Sequence, residues 1–273
     1  MNADDLRSVL TVAIPAARAA GALARGGYRR GGGVEHKGPV DLVTRWDRES
    51  EALLVRELAP LGLPVVGEES GGTWEPGRPV LFVDPIDGTT NFVHGHPFWC
   101  VSIGLAIGGE PVLGVVVAPA LGLEWSGWVA ADGERVATRT DGAESETARV
   151  SSATTLDAAL LATGFPYDRT PGPEDNIAGF AAVQRRSRGV RRCGSAAIDL
   201  ALVADGTFDG YWERRLNPWD IAGGAAIVRA ARGRITDLEG GPSFLATGAV
   251  LATNGVLHAA LMSAIASGGA LGA

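Results

Sequence analysis

The sequence predicts a mixed α/β (α+β) fold, and three observations carry that prediction. Residues 4–24 are rich in Ala and Leu, with Leu6, Val9, Leu10, Ala13 and Ala17 spaced as one helix face. Residues 80–83 are an apolar, β-rich run between Pro79 and Asp84-Pro85, as expected of a buried strand. Residues 99–129 hold three further apolar runs, separated by Gly108-Gly109 and by residues 119–122, which is the pattern of an antiparallel meander.

Composition narrows the class. At 273 residues the chain is long enough to bury a substantial core, and 46% apolar with 20% charged residues is ordinary for a globular protein. A formal charge of −7 argues against a nucleic-acid surface, which needs clustered Lys and Arg to neutralise phosphates. An anionic substrate fits such a chain only where bound metal ions supply positive charge locally. Cys100 and Cys193 lie far apart and outside metal-ligand spacing, which suits a reducing compartment. The first residues lack a signal-peptide pattern, and no run approaches the roughly 18 uninterrupted apolar residues of a membrane span. The expectation is a cytoplasmic protein with no membrane and no nucleic-acid partner.

Taken in order, the first helix contains Pro15 as an expected kink and is broken by Gly26-Gly27. Gly31-Gly32-Gly33 reads as a flexible connection; with no strand before it, the dinucleotide-loop reading fails. A helix is expected over residues 44–58, where Thr44 and Asp47 have the form of a capping pair. Residues 63–66 read as a short strand ending at Gly67-Glu68-Glu69, whose adjacent carboxylates face opposite ways if extended. Residues 71–77 read as a mobile loop, and after the meander residues 134–147 read as a polar surface excursion. A soft division near Arg149 separates residues 1–149 from residues 150–273 within one compact unit.

Strands are expected at residues 160–163, 189–191, 208–212 and 248–253, and helices at 175–184 and 258–266. Two more helices announce their starts. Gly194-Ser195 caps the apolar run that follows, and Asn217, Pro218 and Asp220 together make a complete helix start running to about residue 231.

The chemistry is densest at residues 84–91. Asp84 and Asp87 flank Pro85 on one stiffened turn and would repel each other unless a cation lay between them, and hard divalent cations take oxygen ligands. A solvated turn is the bland alternative, since Asp, Gly, Thr and Asn favour turns for local reasons. Gly88 to Asn91 reads as a helix start whose free N–H groups suit a phosphate. His94 and His96 fall outside ligand spacing and read as loop residues.

Four segments together resemble the inositol monophosphatase family of metal-dependent phosphatases: WDRES after DLVT at residues 41–50, GEES at 67–70, DPIDGTTNF at 84–92 and PWDIAGG at 218–224. The similarity spans about residues 13–254. It implies a layered αβαβα sandwich of the sugar phosphatase type, with a large antiparallel sheet and a smaller mixed one. It also implies Mg²⁺-dependent hydrolysis of a small phosphomonoester, foremost myo-inositol monophosphate, by a metal-activated water.

By this resemblance Glu68, Asp84, the Ile86 carbonyl, Asp87 and Asp220 ligate two or three Mg²⁺ ions. Asp47, Thr89 and Glu68 serve catalysis, and Asp41 lies near the metals. The substrate is bound by Ile86, Asp87, Gly88, Thr89, Gly194, Ser195, Ala196, Glu213 and Asp220. Local pattern alone leaves Asp47, Ser195 and Asp220 as helix caps, Glu68 as a solvated loop residue, and Glu213 as a surface carboxylate pairing with Arg214 or Arg215. A homodimer and lithium sensitivity are implied likewise. Histidinol phosphate and a 3'-nucleotide bisphosphate are alternative substrates, and a non-catalytic regulatory binding protein is the alternative from another class. Two departures stand out: Arg232-Gly233 after the helix, and Arg214-Arg215 beside Glu213, which points toward a more anionic substrate.

Overall fold

The computed structural model describes residues 1–30, 34–36, 42–75, 77–166, 172 and 174–269. Asp41 and the glycine run at 31–33 lie outside the described residues. The N-terminal part holds α1 (Ala3–Arg25), β1 (Val34–His36), β2 (Leu42–Thr44), α2 (Arg45–Leu58), β3 (Val65–Gly67), β4 (Val80–Asp87) and α3 (Thr89–His94). Next come β5 (Cys100–Ile107), β6 (Glu110–Ala118), β7 (Leu123–Val129), β8 (Arg135–Asp141) and β9 (Glu144–Thr147). The C-terminal part holds β10 (Leu160–Thr163), α4 (Ile177–Gln184), β11 (Gly189–Arg191), α5 (Ala196–Ala204), β12 (Gly210–Glu213) and α6 (Pro218–Ala230). It closes with β13 (Arg234–Thr236), α7 (Phe244–Thr247), β14 (Val250–Thr253) and α8 (His258–Gly269).

A seven-stranded sheet runs β3-β4-β5-β6-β7-β8-β9, antiparallel except for the parallel β3–β4 pair at one edge. A five-stranded sheet runs β11-β10-β12-β14-β13 and is mixed, β10 pairing in parallel with both β11 and β12. Helices make the other layers. Leu6, Val9, Ala13 and Ala17 of α1 and Leu54 and Leu58 of α2 pack with Leu81, Val83, Val101, Ile103 and Val115 on one face of the large sheet. Helices α5 and α6 fill the space between the sheets, where Phe82, Val116 and Trp125 meet Ile198, Leu200, Ile221 and Ile227. Val183 of α4 and Leu261 of α8 cover the outer face of the small sheet with Leu161, Trp212 and Leu251. The layers therefore alternate αβαβα.

Both faces of the large sheet are covered, which is why its strands read as continuous apolar runs rather than alternating ones. In β4, Leu81 and Val83 face α1 and α2 while Val80 and Phe82 face α5 and α6, as a two-residue repeat requires. Burying one such side chain is worth about 2 kcal/mol. A lane of glycines lets α6 come close: a Cβ at Gly104 would lie 2.5 Å from Ala222, and one at Gly114 would overlap the Gly223 carbonyl. That contact fixes the N-terminal end of α6, and with it Asp220, against the large sheet.

Two expectations need correction. Residues 134–147 are not an excursion but strands β8 and β9, which extend the large sheet; their faces are largely exposed, so the apolar signal is missing. The strand expected at 80–83 continues to Asp87, with its register shifted between Asp84 and Asp87, so the two acids sit on an irregular strand end rather than a free turn. Helix α1 carries Pro15 inside it, as expected. By length and composition α1 could span a membrane, with a mean hydropathy of 1.3, but its apolar face is spent on the sheet. The short β1, β2, β13 and α7 had no sequence expectation.

Candidate active site

The sheet and helix ends converge on one cavity of about 110 Å³, lined among others by Glu68, Asp84, Ile86, Asp87, Gly88, Thr89, Gly194, Ser195, Ala196, Glu213 and Asp220. These come from four places: the loop after β3, the end of β4 with the start of α3, the start of α5, and the end of β12 with the start of α6. Every candidate residue in the described chain lines this cavity except Asp47, which reaches it through Thr89.

Asp84 is buried and accepts from the Ile86 amide at 2.9 Å, which holds its carboxylate across Pro85. Asp87 accepts at one oxygen from the Ser195 hydroxyl at 2.6 Å and from the Ala197 amide at 2.7 Å, joining the β4 end to α5. Cys100 Sγ lies 3.8 Å from the same oxygen, so the buried thiol borders the site. Asp220 accepts from the Asn217 amide at 2.7 Å, and Asn217 and Asp220 form a reciprocal capping box. The cap is real, yet the same carboxyl also lies close enough to Asp84 for the two to act on each other's charge.

Electrostatics turns that proximity into a chemical statement. Burial and then the charges of Glu68, Asp87, Asp220 and Asp47 push the Asp84 carboxyl well above its ordinary range. Burial lifts Asp87 to about 6 although Ser195 and Ala197 oppose it, and burial with the Asp87 charge lifts Asp220 to about 7. Carboxyls raised by burial and by one another's charge are groups that a bound cation would stabilise in the ionised form. Among the described residues no three Asp, Glu, His or Cys side chains are gathered closely enough to hold an ion as they stand. Oxygen donors alone, several of them charged, fit Mg²⁺ in kind.

Beside the carboxylates stands a second polar chain. The Thr89 hydroxyl is 3.2 Å from Asp47 Oδ1 and 3.0 Å from the Ile86 carbonyl. Asp47 is buried at the start of α2, where its Oδ2 accepts from the Thr44 amide at 2.7 Å and the Thr44 hydroxyl at 2.5 Å. Capping thus uses one oxygen of Asp47 and leaves the other for Thr89. Gly88 has φ 92, and a Cβ there would sit 3.0 Å from both the Gly194 and Phe98 carbonyls, so only glycine lets β4 turn into α3 here.

Glu213 does not pair with Arg214 or Arg215 as a surface carboxylate would. The Tyr211 hydroxyl donates to it, the Arg192 charge acts on it, and burial still raises it to about 7.

Sequence reasoning missed several supports. Glu51 is buried in α2 and accepts from the Glu69 and Ser70 amides, each at 2.7 Å, which fixes the loop bearing Glu68. Its signal was available: Asp47, Glu51, Leu54 and Leu58 share the buried face of the helix, and a carboxylate on an apolar stripe needs a partner. The Asn91 side-chain amide donates to the carbonyls of Phe98 at 2.7 Å and Cys193 at 2.9 Å, tying α3 to the loop before α5. No local pattern could have revealed a partner some hundred positions away. Asp199 is buried with one oxygen lacking a hydrogen bond, and burial and the Glu213 charge raise it well above its usual value.

A sequence profile described as the Inositol monophosphatase family matches residues 5–269. An inositol-1-monophosphatase from Synechocystis sp. is 40% identical over 269 residues, covering 96% of this chain and 90% of the relative. A protein named Nus factor SuhB from Pseudomonas aeruginosa is 36% identical over 273 residues, covering 95% and 96%. The solved structure of inositol monophosphatase from Anabaena (Nostoc) sp. superposes with a TM-score of 0.83 at 37% identity, covering 96% of each chain.

Proposed function

The chain belongs to the inositol monophosphatase family of phosphatase enzymes, and from that premise we propose that it hydrolyses a small phosphomonoester, foremost myo-inositol monophosphate, with Mg²⁺ as cofactor. The observation that carries this reading is that Glu68, Asp84, Asp87 and Asp220 line one cavity, where desolvation raises the last three carboxyls. Glu68, Asp84 and the Ile86 carbonyl would hold one ion, and Asp84, Asp87 and Asp220 another. When bound, such ions supply positive charge to the phosphoryl oxygens and the leaving alkoxide, and acidify water.

The protein's own groups have separable tasks. Thr89 Oγ1, held by Asp47 and the Ile86 carbonyl, orients the attacking water, and the free oxygen of Asp47 receives its proton through that hydroxyl. Burial has raised Asp47, which makes it a better base than a solvated aspartate. The amides after Gly88 would hold the phosphate oxygens. Glu213, fixed by Tyr211, accepts hydrogen bonds from the hydroxyls of the alcohol. The residues of 1–149 supply most of the metal ligands and those of 150–273 complete the site. A homodimer, cytoplasmic residence and lithium sensitivity belong to the same reading.

The relative named Nus factor SuhB supports a second reading, a regulatory binding role. No metal-binding carboxylate of the motif is missing here, which favours catalysis. The test is a panel of inositol 1-phosphate, histidinol phosphate and adenosine 3',5'-bisphosphate with and without Mg²⁺. Highest kcat/KM on inositol 1-phosphate, abolished by chelator, is the expected result. A higher value on histidinol phosphate overturns the substrate, and turnover indifferent to metal overturns the mechanism.

A further inference from the structure

We propose that the far side of the cavity reads a second anionic group on the substrate, through Arg214 together with Arg192; this rests on the phosphomonoesterase reading above. Arg214 lines the cavity and is half-buried, and among the described residues it makes no hydrogen bond or ion pair. A partly desolvated guanidinium is unfavourable without an acceptor, and its planar fork matches phosphate or carboxylate oxygens. The neighbouring carboxylate does not supply that acceptor, because Glu213 is held by the Tyr211 hydroxyl and lies in the field of Arg192.

Arg192 reaches the same cavity from the loop before α5. Its Nη1 lies 2.7 Å from where a Cβ on Gly194 would be, and Gly194 has φ 88, so the guanidinium lies over a position that only glycine fills comfortably. Arg215 completes this wall and adopts φ 62, an unfavourable conformation for a residue with a Cβ. The cavity therefore has two ends. One is the acidic group of Glu68, Asp84, Asp87 and Asp220, whose charge bound cations would cancel. The other is a wall carrying Arg192, Arg214 and Arg215, beside the apolar rings of Phe165 and Pro166. With the acidic end neutralised and Glu213 engaged by Tyr211, the Arg214 and Arg192 guanidinium groups suit an alcohol portion that itself bears a phosphate or carboxylate.

The test compares inositol 1-phosphate with inositol 1,4-bisphosphate, which differ by one phosphate on the same ring, in the full-length protein with Mg²⁺. Wild type is expected to show the lower KM on the bisphosphate. Arg214→Gln is expected to lower the bisphosphate-to-monophosphate ratio of kcat/KM about tenfold through KM, roughly the worth of one charge-assisted hydrogen bond, with Arg214→Lys recovering part of it. Thermal stabilisation by each compound is read in parallel, and the bisphosphate increment should shrink in Arg214→Gln. A wild-type KM no lower for the bisphosphate than for the monophosphate, or a ratio and increment unmoved by the substitution, overturns the second-anion wall while leaving the phosphatase reading intact. Failure of both compounds to be hydrolysed or to stabilise the protein overturns the phosphatase reading itself, and this inference with it.

Discussion

The Ser195 hydroxyl donates to Asp87 at 2.6 Å across 108 positions of sequence, and the Ala197 amide donates to the same oxygen. One contact thus serves as helix cap and as support for a candidate metal ligand. Partners of this kind typically change metal affinity by about 10- to 100-fold when removed. Ser195→Ala should therefore raise the Mg²⁺ concentration for half-maximal turnover about tenfold while the fold survives, as circular dichroism would show. An unchanged metal requirement would restrict Ser195 to capping.

Glu51 supports the opposite wall through the Glu69 and Ser70 amides. Glu51→Gln keeps the size but weakens two charge-assisted bonds, so metal affinity should fall and thermal stability drop by about 1–3 kcal/mol. Metal titration followed by intrinsic fluorescence measures the first effect and denaturant unfolding the second. A variant that loses stability but binds metal normally would show that the loop holds Glu68 without Glu51.

Thr89 is predicted to act in the chemical step rather than in binding. Thr89→Ala should lower kcat by roughly 10²- to 10⁴-fold with KM nearly unchanged, and Thr89→Ser should retain much of the rate because it keeps the hydroxyl. A loss confined to KM would place the hydroxyl on the substrate instead.

Without metal, the carboxyls raised to about 6 at Asp87 and about 7 at Asp220 and Glu213 hold their protons more tightly folded than unfolded. The folded state then binds more protons, so their contribution is fully present below about pH 4 and is lost as pH rises through 6 to 7. Cations compete for the same sites, and the Mg²⁺-induced rise in melting temperature should grow from pH 5 to pH 8. At 100 times the dissociation constant the gain would be about 2.7 kcal/mol. A stabilisation that shrinks with rising pH would show that the ions bind elsewhere.

Much of this was legible in the chain because the signals are local. A β-rich run ending in Asp84-Pro85, a glycine that alone can turn into α3, and a complete helix start at Asn217, Pro218 and Asp220 each follow from neighbours in sequence. The meander at 99–129 was legible because burial on both faces leaves continuous apolar runs. Strands β8 and β9 were not, since an exposed edge hairpin is held by backbone hydrogen bonds that polar sequence does not advertise.

Sequence by itself thus determined which residues carry charge, where elements begin, and that Asp47, Ser195 and Asp220 would cap helices. Only the tertiary structure decided that these caps are also wall and support of one cavity, that Glu51 and Asn91 hold its loops, and that Glu213 answers to Tyr211 and Arg192 rather than to Arg214. The physical reason is that a capping interaction is settled within three or four residues. A shifted carboxyl, by contrast, depends on burial and on charges delivered from strands and helices far apart in the chain, and only close packing of α5 and α6 between the two sheets brings them together.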